Sequence, residues 1–184
     1  MAIEVIEQYG DSRPSLDIRQ IVVSMVKSVS EKHQAGLSSI ILTSAAESNR
    51  SFRRKKVKHR GVKRSKVEAL GSYQPAWPGN AAFIRQYVDN MLVQYQALTL
   101  RVSFIRELLV ANTLFHEIGH HIHLTKTREF RHREDVADDW ANRLTREYFG
   151  RRYWYVTRLS KLIVRGNNYL NRYKQRRAQL VVRL

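Results

Sequence analysis

The 184-residue chain has no cysteine, only 8 glycines and 3 prolines, and 16 acidic residues against 33 basic ones. Without cysteine there can be no disulfide scaffold, cysteine-ligated zinc, iron–sulfur cluster or thiol nucleophile. Any metal must therefore be held by His, Asp or Glu. A thiol-free chain also fits a reducing compartment, so a cytoplasmic location is expected. Few glycines and prolines beside 43% hydrophobic residues exclude collagen-like and low-complexity classes and allow a real core. No apolar run approaches the roughly 20 residues that cross a bilayer. The start, Met1-Ala2-Ile3-Glu4-Val5-Ile6-Glu7, lacks the basic-then-apolar layout of a signal peptide. The expectation is one compact domain with accessories, without a transmembrane segment.

What is abundant is positive charge: the formal net charge is +17 and the pI is near 10.6. It is concentrated in two stretches, Arg50 to Lys66 and Arg151 to Leu184, each with ten cations and no acid. Blocks of like charge repel themselves and call for a polyanion or for plain solvation.

Hydrophobic spacing predicts the elements. Leu16, Ile18, Ile21, Val22, Met25, Val26 and Val29 recur every three or four residues, which predicts a helix from about Ser15 to Lys32 with Pro14 near its start. The run Ile40-Ile41-Leu42-Thr43 reads as a buried strand, Arg50 to Lys66 as a loop, and Gly71 to Asn80 as turn-rich. Ala82 to Asp89 has strand composition, and the two strands are expected to pair antiparallel across the basic excursion. A helix is predicted from Val102 to Leu124, and a second from about Arg133 to Tyr148 with Val136, Ala137, Trp140, Leu144 and Phe149 near its inner side. Gly150 is expected to break it, and a further helix is expected at Tyr153 to Val164.

The chemistry lies in His116-Glu117-Ile118-Gly119-His120, an H-E-x-x-H motif on the first of these helices. Residues four apart on a helix differ in direction by only about 40°, so His116 and His120 project from one face and can share one ion. Glu117 points about 100° away, beside the ion's open position, where a carboxylate can take a proton from a zinc-bound water and pass it to a leaving amine. Apolar Leu114, Phe115 and Ile122 flank the motif as a half-buried helix requires.

A catalytic zinc ion needs a third protein ligand. The segment Glu134-Asp135-Val136-Ala137-Asp138-Asp139 offers it on the next helix, with Glu134 as the choice and Asp138 or Asp139 as the alternative. Asp138, one turn beyond Glu134, could accept the outer N–H of a ligand histidine and fix its tautomer. Small Ala137 between them would let the helices approach. The bland alternative is a solvated acidic face balancing nearby arginines. His121 and His123 compete for the metal, His123 from the same face as His116, although roles away from it are favoured.

These residues resemble the gluzincin zinc metallopeptidases, most nearly the minimal ImmA/IrrE-type domain, over about Leu16 to Tyr148. H-E-I-G-H at His116 to His120 followed by E-x-x-A-D at Glu134 to Asp138 carries the resemblance. It implies an α+β, zincin-like fold with a leading helix, a small mostly antiparallel sheet, the motif helix and a third-ligand helix. It also implies Zn2+ on His116, His120 and Glu134, Glu117 as general base, and an edge strand for an extended peptide, here Phe83 to Asp89. The basic stretches fall outside the family pattern. Tyr87, His121 and His123 are the candidate donors to an oxyanion.

The expected organisation is a metallopeptidase domain over residues 1–150, including the basic loop 50–66, and a basic helical extension over 151–184. In the extension Tyr153, Trp154, Tyr155, Tyr169 and Tyr173 interleave with the cations, as phosphate contact with base stacking would use. A helix with a solvated basic face has the same composition. The expected function is zinc-dependent hydrolysis of peptide bonds in a protein partner. The alternative is a basic nucleic-acid-binding protein with a structural or inactive metal site, contacting nucleic acid through Arg50–Lys66 and Arg151–Leu184.

Overall fold

The computed structural model describes residues 3–10, 13–45, 56–59, 62–65, 69–95, 100–126 and 133–154. Their order is β1 (Glu4–Gln8), α1 (Arg19–Ser28), α2 (Glu31–Gln34), β2 (Leu37–Thr43), β3 (Lys56–His59), β4 (Val62–Ser65), β5 (Gly71–Gln74), β6 (Ala82–Tyr87), α3 (Val88–Tyr95), α4 (Ser103–Lys126) and α5 (Glu134–Arg152). The class is α+β. The chain divides into two compact units, Met1–Thr145 and Arg146–Leu184. No helix among the described residues is long and apolar enough to cross a membrane.

The main sheet runs β1-β2-β6-β5, and β3-β4 form a separate two-stranded ribbon. In the main sheet β1 and β2 are parallel, β2 and β6 are parallel, and β5 is antiparallel to β6. Side chains of aligned residues share a face, so Val5, Ile40, Ile84 and Tyr73 form one row across the sheet. Glu7, Leu42, Gln86 and Gly71 form the next row on that face. Ile40, Leu42 and Ile84 are wholly buried. The helices α1 and α4 cover this face, α1 with Val22, Met25 and Val26, α4 with Leu114, Phe115 and Ile118.

Several expectations are corrected. The sheet is mixed, with two of its three pairings parallel, instead of mostly antiparallel. The chain returns from β1 to β2 through α1 and α2, and such a crossover delivers a parallel strand. β6 lies between β2 and β5, so Phe83 to Asp89 is not an edge, and among the described residues the edge strand on that side is β5. The strand ends at Tyr87, and Asp89 sits in the first turn of α3. There its carboxylate accepts from Ser44 Oγ at 2.6 Å and from the Ala45 and Asn90 amides at 2.9 Å.

The helix expected over Ser15 to Lys32 is two pieces, because Val29 is extended at φ −77°, ψ 137°. The Gln34 amide bridges the break, donating to Val26 O at 3.0 Å and Val29 O at 2.6 Å and so satisfying carbonyls the helix end leaves open. Part of the basic loop, Lys56–His59 and Val62–Ser65, is a hairpin ribbon. The turn-rich stretch opens with β5. Gly150 does not break α5, which continues to Arg152. The last expected helix, beyond Trp154, and most of the extension lie outside the described residues.

Candidate metal centre

The motif helix α4 is amphipathic over its middle turns, with Ala111, Leu114, Phe115, Ile118 and Ile122 buried against the sheet and α1. That packing fixes the rotation of the helix about its axis and directs His116 and His120 toward α5. The two helices meet at Gly119 and Ala137, where a Cβ on Gly119 would lie 2.6 Å from the Ala137 carbonyl oxygen and 2.9 Å from its Cα. Glycine at this position lets the helix backbones touch, and the touch brings Glu134, one turn before Ala137, over the histidine pair.

The resulting cluster is compact. His116 Nε2 and His120 Nε2 are 3.2 Å apart, His116 Nε2 is 3.3 Å from Glu134 Oε2, and His120 Nε2 is 3.7 Å from Glu134 Oε1. Donors bound at about 2.05 Å in a tetrahedron lie roughly 3.3 Å from one another. The donor set and its spacing therefore fit a metal ion, and His116, His120 and Glu134 form the metal-competent group among the described residues. His116 Nδ1 is 2.9 Å from Asp138 Oδ1. A carboxylate only accepts, so Nδ1 carries a proton; when the ring is neutral this leaves Nε2 with the lone pair that an ion would take. Burial alone would lower the His116 pKa, but the hydrogen bond to Glu134 and the charges of Glu117, Glu134 and Asp138 outweigh it and raise it.

Glu117 is buried beside this group. Burial pushes its pKa up from 4.5 to about 7, opposed by the His116 charge and the Tyr73 backbone N–H and assisted by Glu134. The opening for its side chain is made by Gly71, where a Cβ would lie 3.0 Å from Glu117 Cγ, 3.1 Å from Glu117 Oε1 and 3.1 Å from Thr113 Cγ2. The Tyr87 amide donates to the Leu70 carbonyl at 2.9 Å. In an antiparallel ladder that bond leaves the backbone groups of Gly71 and Tyr73 directed away from β6, toward the outer side of β5. The carboxylate of Glu117 thus receives the Tyr73 N–H at the edge of the sheet.

The other candidates are placed elsewhere. His121 is wholly buried; its Nε2–H donates to Ala35 O at 3.0 Å and its Nδ1 accepts from Tyr73 Oη at 3.1 Å. Burial lowers its pKa, against the smaller effect of the Ala35 bond. It is a neutral strut between the motif helix, the turn before β2 and the edge strand. Burial also pushes the Tyr73 hydroxyl up to about 12, keeping it a donor. His123 is buried outside the cluster. Tyr87 alternates with Gln86 onto the sheet face away from α4, its hydroxyl 3.3 Å from Ser72 Oγ. Asp139 is exposed and outside the cluster.

Gly71 and Tyr73 were missed in the sequence, where Gly71-Ser72 reads as a turn. Nothing in the local pattern says that glycine there serves a carboxylate 46 positions along the chain. Comparisons with family models, with curated proteins and with solved structures found no match to this chain.

Proposed function

We propose that the protein is a zinc-dependent peptidase of gluzincin type with a zincin-like catalytic domain. The observation that supports this most is the joint placement of four groups: His116, His120 and Glu134 converge on one point, with the buried carboxylate of Glu117 beside them. His116 Nε2, His120 Nε2 and the Glu134 carboxylate would hold the ion, and Asp138 fixes His116 in the tautomer that binding needs. When bound, the metal supplies a Lewis acid that polarises water or a peptide carbonyl. Glu117 takes the proton from the attacking water and delivers it to the departing amine nitrogen. Without an ion, burial raises the Glu117 pKa to about 7; a bound cation would lower it and favour the carboxylate form that takes the proton. Among the described residues no strand covers β5, so the Gly71 backbone groups and the Tyr73 carbonyl on its outer edge could pair with an extended peptide beside Glu117.

The experiment is metal analysis of the wild type, His116→Ala and Glu134→Ala proteins after zinc loading, with hydrolysis of casein followed for wild type and Glu117→Gln. About one zinc per chain that is lost in both ligand variants, and hydrolysis that is lost in Glu117→Gln with zinc retained, is the expected outcome. Retained zinc with no hydrolysis by the wild type would leave a structural metal site and sink the peptidase reading.

A further inference from the structure

Glu117 and His121 stand four residues apart on α4, so they project in nearly one direction, about 6 Å apart along the axis. Both reach the same residue of β5. The Tyr73 backbone N–H is donated to the Glu117 carboxylate, and the Tyr73 hydroxyl lies 3.1 Å from His121 Nδ1. The two rings meet edge to face with their centroids 5.5 Å apart. One tyrosine thus touches two successive turns of the motif helix, with its backbone on one and the end of its side chain on the other. The direction of the hydroxyl bond is fixed. A carbonyl only accepts, so the 3.0 Å contact with Ala35 O puts a proton on His121 Nε2. Burial favours the neutral ring, which leaves the lone pair on Nδ1. Tyr73 is therefore the donor, and the Ala35 carbonyl anchors the wholly buried His121 ring from its other nitrogen.

The strand itself explains why such a bond matters. Among the described residues β5 is paired on one side only, to β6. It is short, Gly71–Gln74, and it begins with glycine, which weakens a strand. The ladder sets Tyr73 against Ile84 within the sheet, but the spacing between the sheet edge and α4 is left to side chains. Gly71, which lies against Glu117, has no side chain to hold that spacing. Tyr73 has one. With its hydroxyl pinned to His121, its N–H stays within reach of the Glu117 carboxylate. With the hydroxyl unpinned, the edge can tilt from the helix and the carboxylate loses its donor.

We propose that Tyr73 and His121 are positioning residues for Glu117: the Tyr73 hydroxyl, seated on His121 Nδ1, holds the edge strand so that the Tyr73 N–H keeps the carboxylate in place beside His116, His120 and Glu134. The catalytic consequence rests on the peptidase reading, whereas the hold on the carboxylate is measurable without it.

The test compares Tyr73→Phe, His121→Asn and His121→Gln with the wild type, all as the full chain. Phenylalanine keeps the ring and removes only the hydroxyl. Asparagine carries an oxygen three bonds from Cα, as Nδ1 is, and so keeps the acceptor for Tyr73. Glutamine carries an N–H four bonds from Cα, as Nε2 is, and so keeps only the bond to Ala35. The first readout is amide hydrogen exchange at residue 73, followed by NMR in the metal-free proteins, with the wholly buried Ile40 of the internal strand β2 reporting the fold. Tyr73→Phe and His121→Gln should speed exchange at residue 73 about tenfold or more and leave Ile40 within about threefold, while His121→Asn stays near the wild type at residue 73. The second readout is casein hydrolysis after zinc loading. The same two variants should lose about ten- to a hundredfold in kcat with KM within about threefold and zinc retained, and His121→Asn should lose less. Unchanged exchange at residue 73 in Tyr73→Phe would overturn the proposal, as would equal acceleration at residue 73 and Ile40, or faster exchange at residue 73 with kcat unchanged. A wild type that hydrolyses no casein would remove the peptidase reading, and exchange at residue 73 would still decide whether the pair holds the carboxylate.

Discussion

At the scale of single residues, the position of Glu117 depends on an atom that is absent. The Cα of Gly71 faces the Glu117 side chain so closely that an added methyl would sit 3.0 Å from its Cγ and 3.1 Å from Oε1. These are side-chain atoms, so the carboxylate yields by a few tenths of an ångström before the backbone does. Gly71→Ala should therefore keep the fold and zinc content while lowering kcat for casein hydrolysis tenfold or more, with a smaller change in KM. Unchanged kcat would show that Glu117 needs no such seat. The same burial gives Glu117 a pH signature. Its folded pKa of about 7 stands above its ordinary 4.5, so between those values the folded chain keeps a proton that the unfolded chain has released. That contribution is fully present below about pH 4.5 and is lost as pH rises through 7. Metal-free wild type should lose up to roughly 3 kcal/mol relative to Glu117→Gln between pH 5 and pH 8 in urea melts. Parallel stability curves would refute it. Gln86 makes a third case, wholly buried with neither amide atom hydrogen-bonded in the described structure. Gln86→Met keeps the shape and removes an unpaired polar group, so it should stabilise by about 1 kcal/mol or more and raise Tm by a few degrees. A lowered Tm would reveal a partner for the amide.

At the scale of elements, the crossing of α4 and α5 builds the metal group, and Gly119 permits it. Replacing a helical glycine by alanine favours the helix by about 1 kcal/mol. Here the new Cβ would fall 2.6 Å from a backbone oxygen of α5, which cannot rotate away. The steric effect wins: Gly119→Ala should cost about 1–3 kcal/mol and weaken zinc binding, because parting the helices lifts Glu134 from His116 and His120. Equal stability and equal zinc content in the variant would show a crossing looser than the structure has it. These helices were legible in the sequence because period 3.6 places His116 above His120 and Glu134 before Asp138 within single elements. The sheet was less legible, for identifiable reasons. β1, Glu-Val-Ile-Glu-Gln, has acids where an apolar alternation would advertise a strand, and β5 begins with Gly-Ser, which carries a turn signal. Strand direction is set by the path of the intervening chain, which no local pattern encodes. The strands β3 and β4 lie in a stretch so dense in basic residues that it reads as a loop.

At the scale of the whole molecule, the candidate centre draws together distant parts of unit Met1–Thr145. Ligands come from α4 and α5, the support of Glu117 from β5, and the strut His121 ties α4 to Ala35 and to Tyr73. The joining of Glu134 to His116 and His120 is expected from the sequence, but the ties through β5 and Ala35 cannot be seen there, because each joins residues brought near only by folding. An ion bound there holds α4 to α5 in the native state and finds no preformed site in the unfolded chain. Its binding energy is then folding energy. At a free zinc concentration 100 to 1,000 times Kd, the gain is about 2.7 to 4.1 kcal/mol, which for a chain of this length corresponds to a Tm rise of roughly 5–15 °C. Zinc should raise the Tm of wild type and of Glu117→Gln alike, and leave Glu134→Ala nearly unmoved, since removing one ligand dismantles the group while removing the base does not. A Tm indifferent to zinc in the wild type would mean that the three donors, although gathered, hold no ion. An equal rise in Glu134→Ala would move the ion to other ligands, and the catalytic role of Glu117 would lose its physical basis with it.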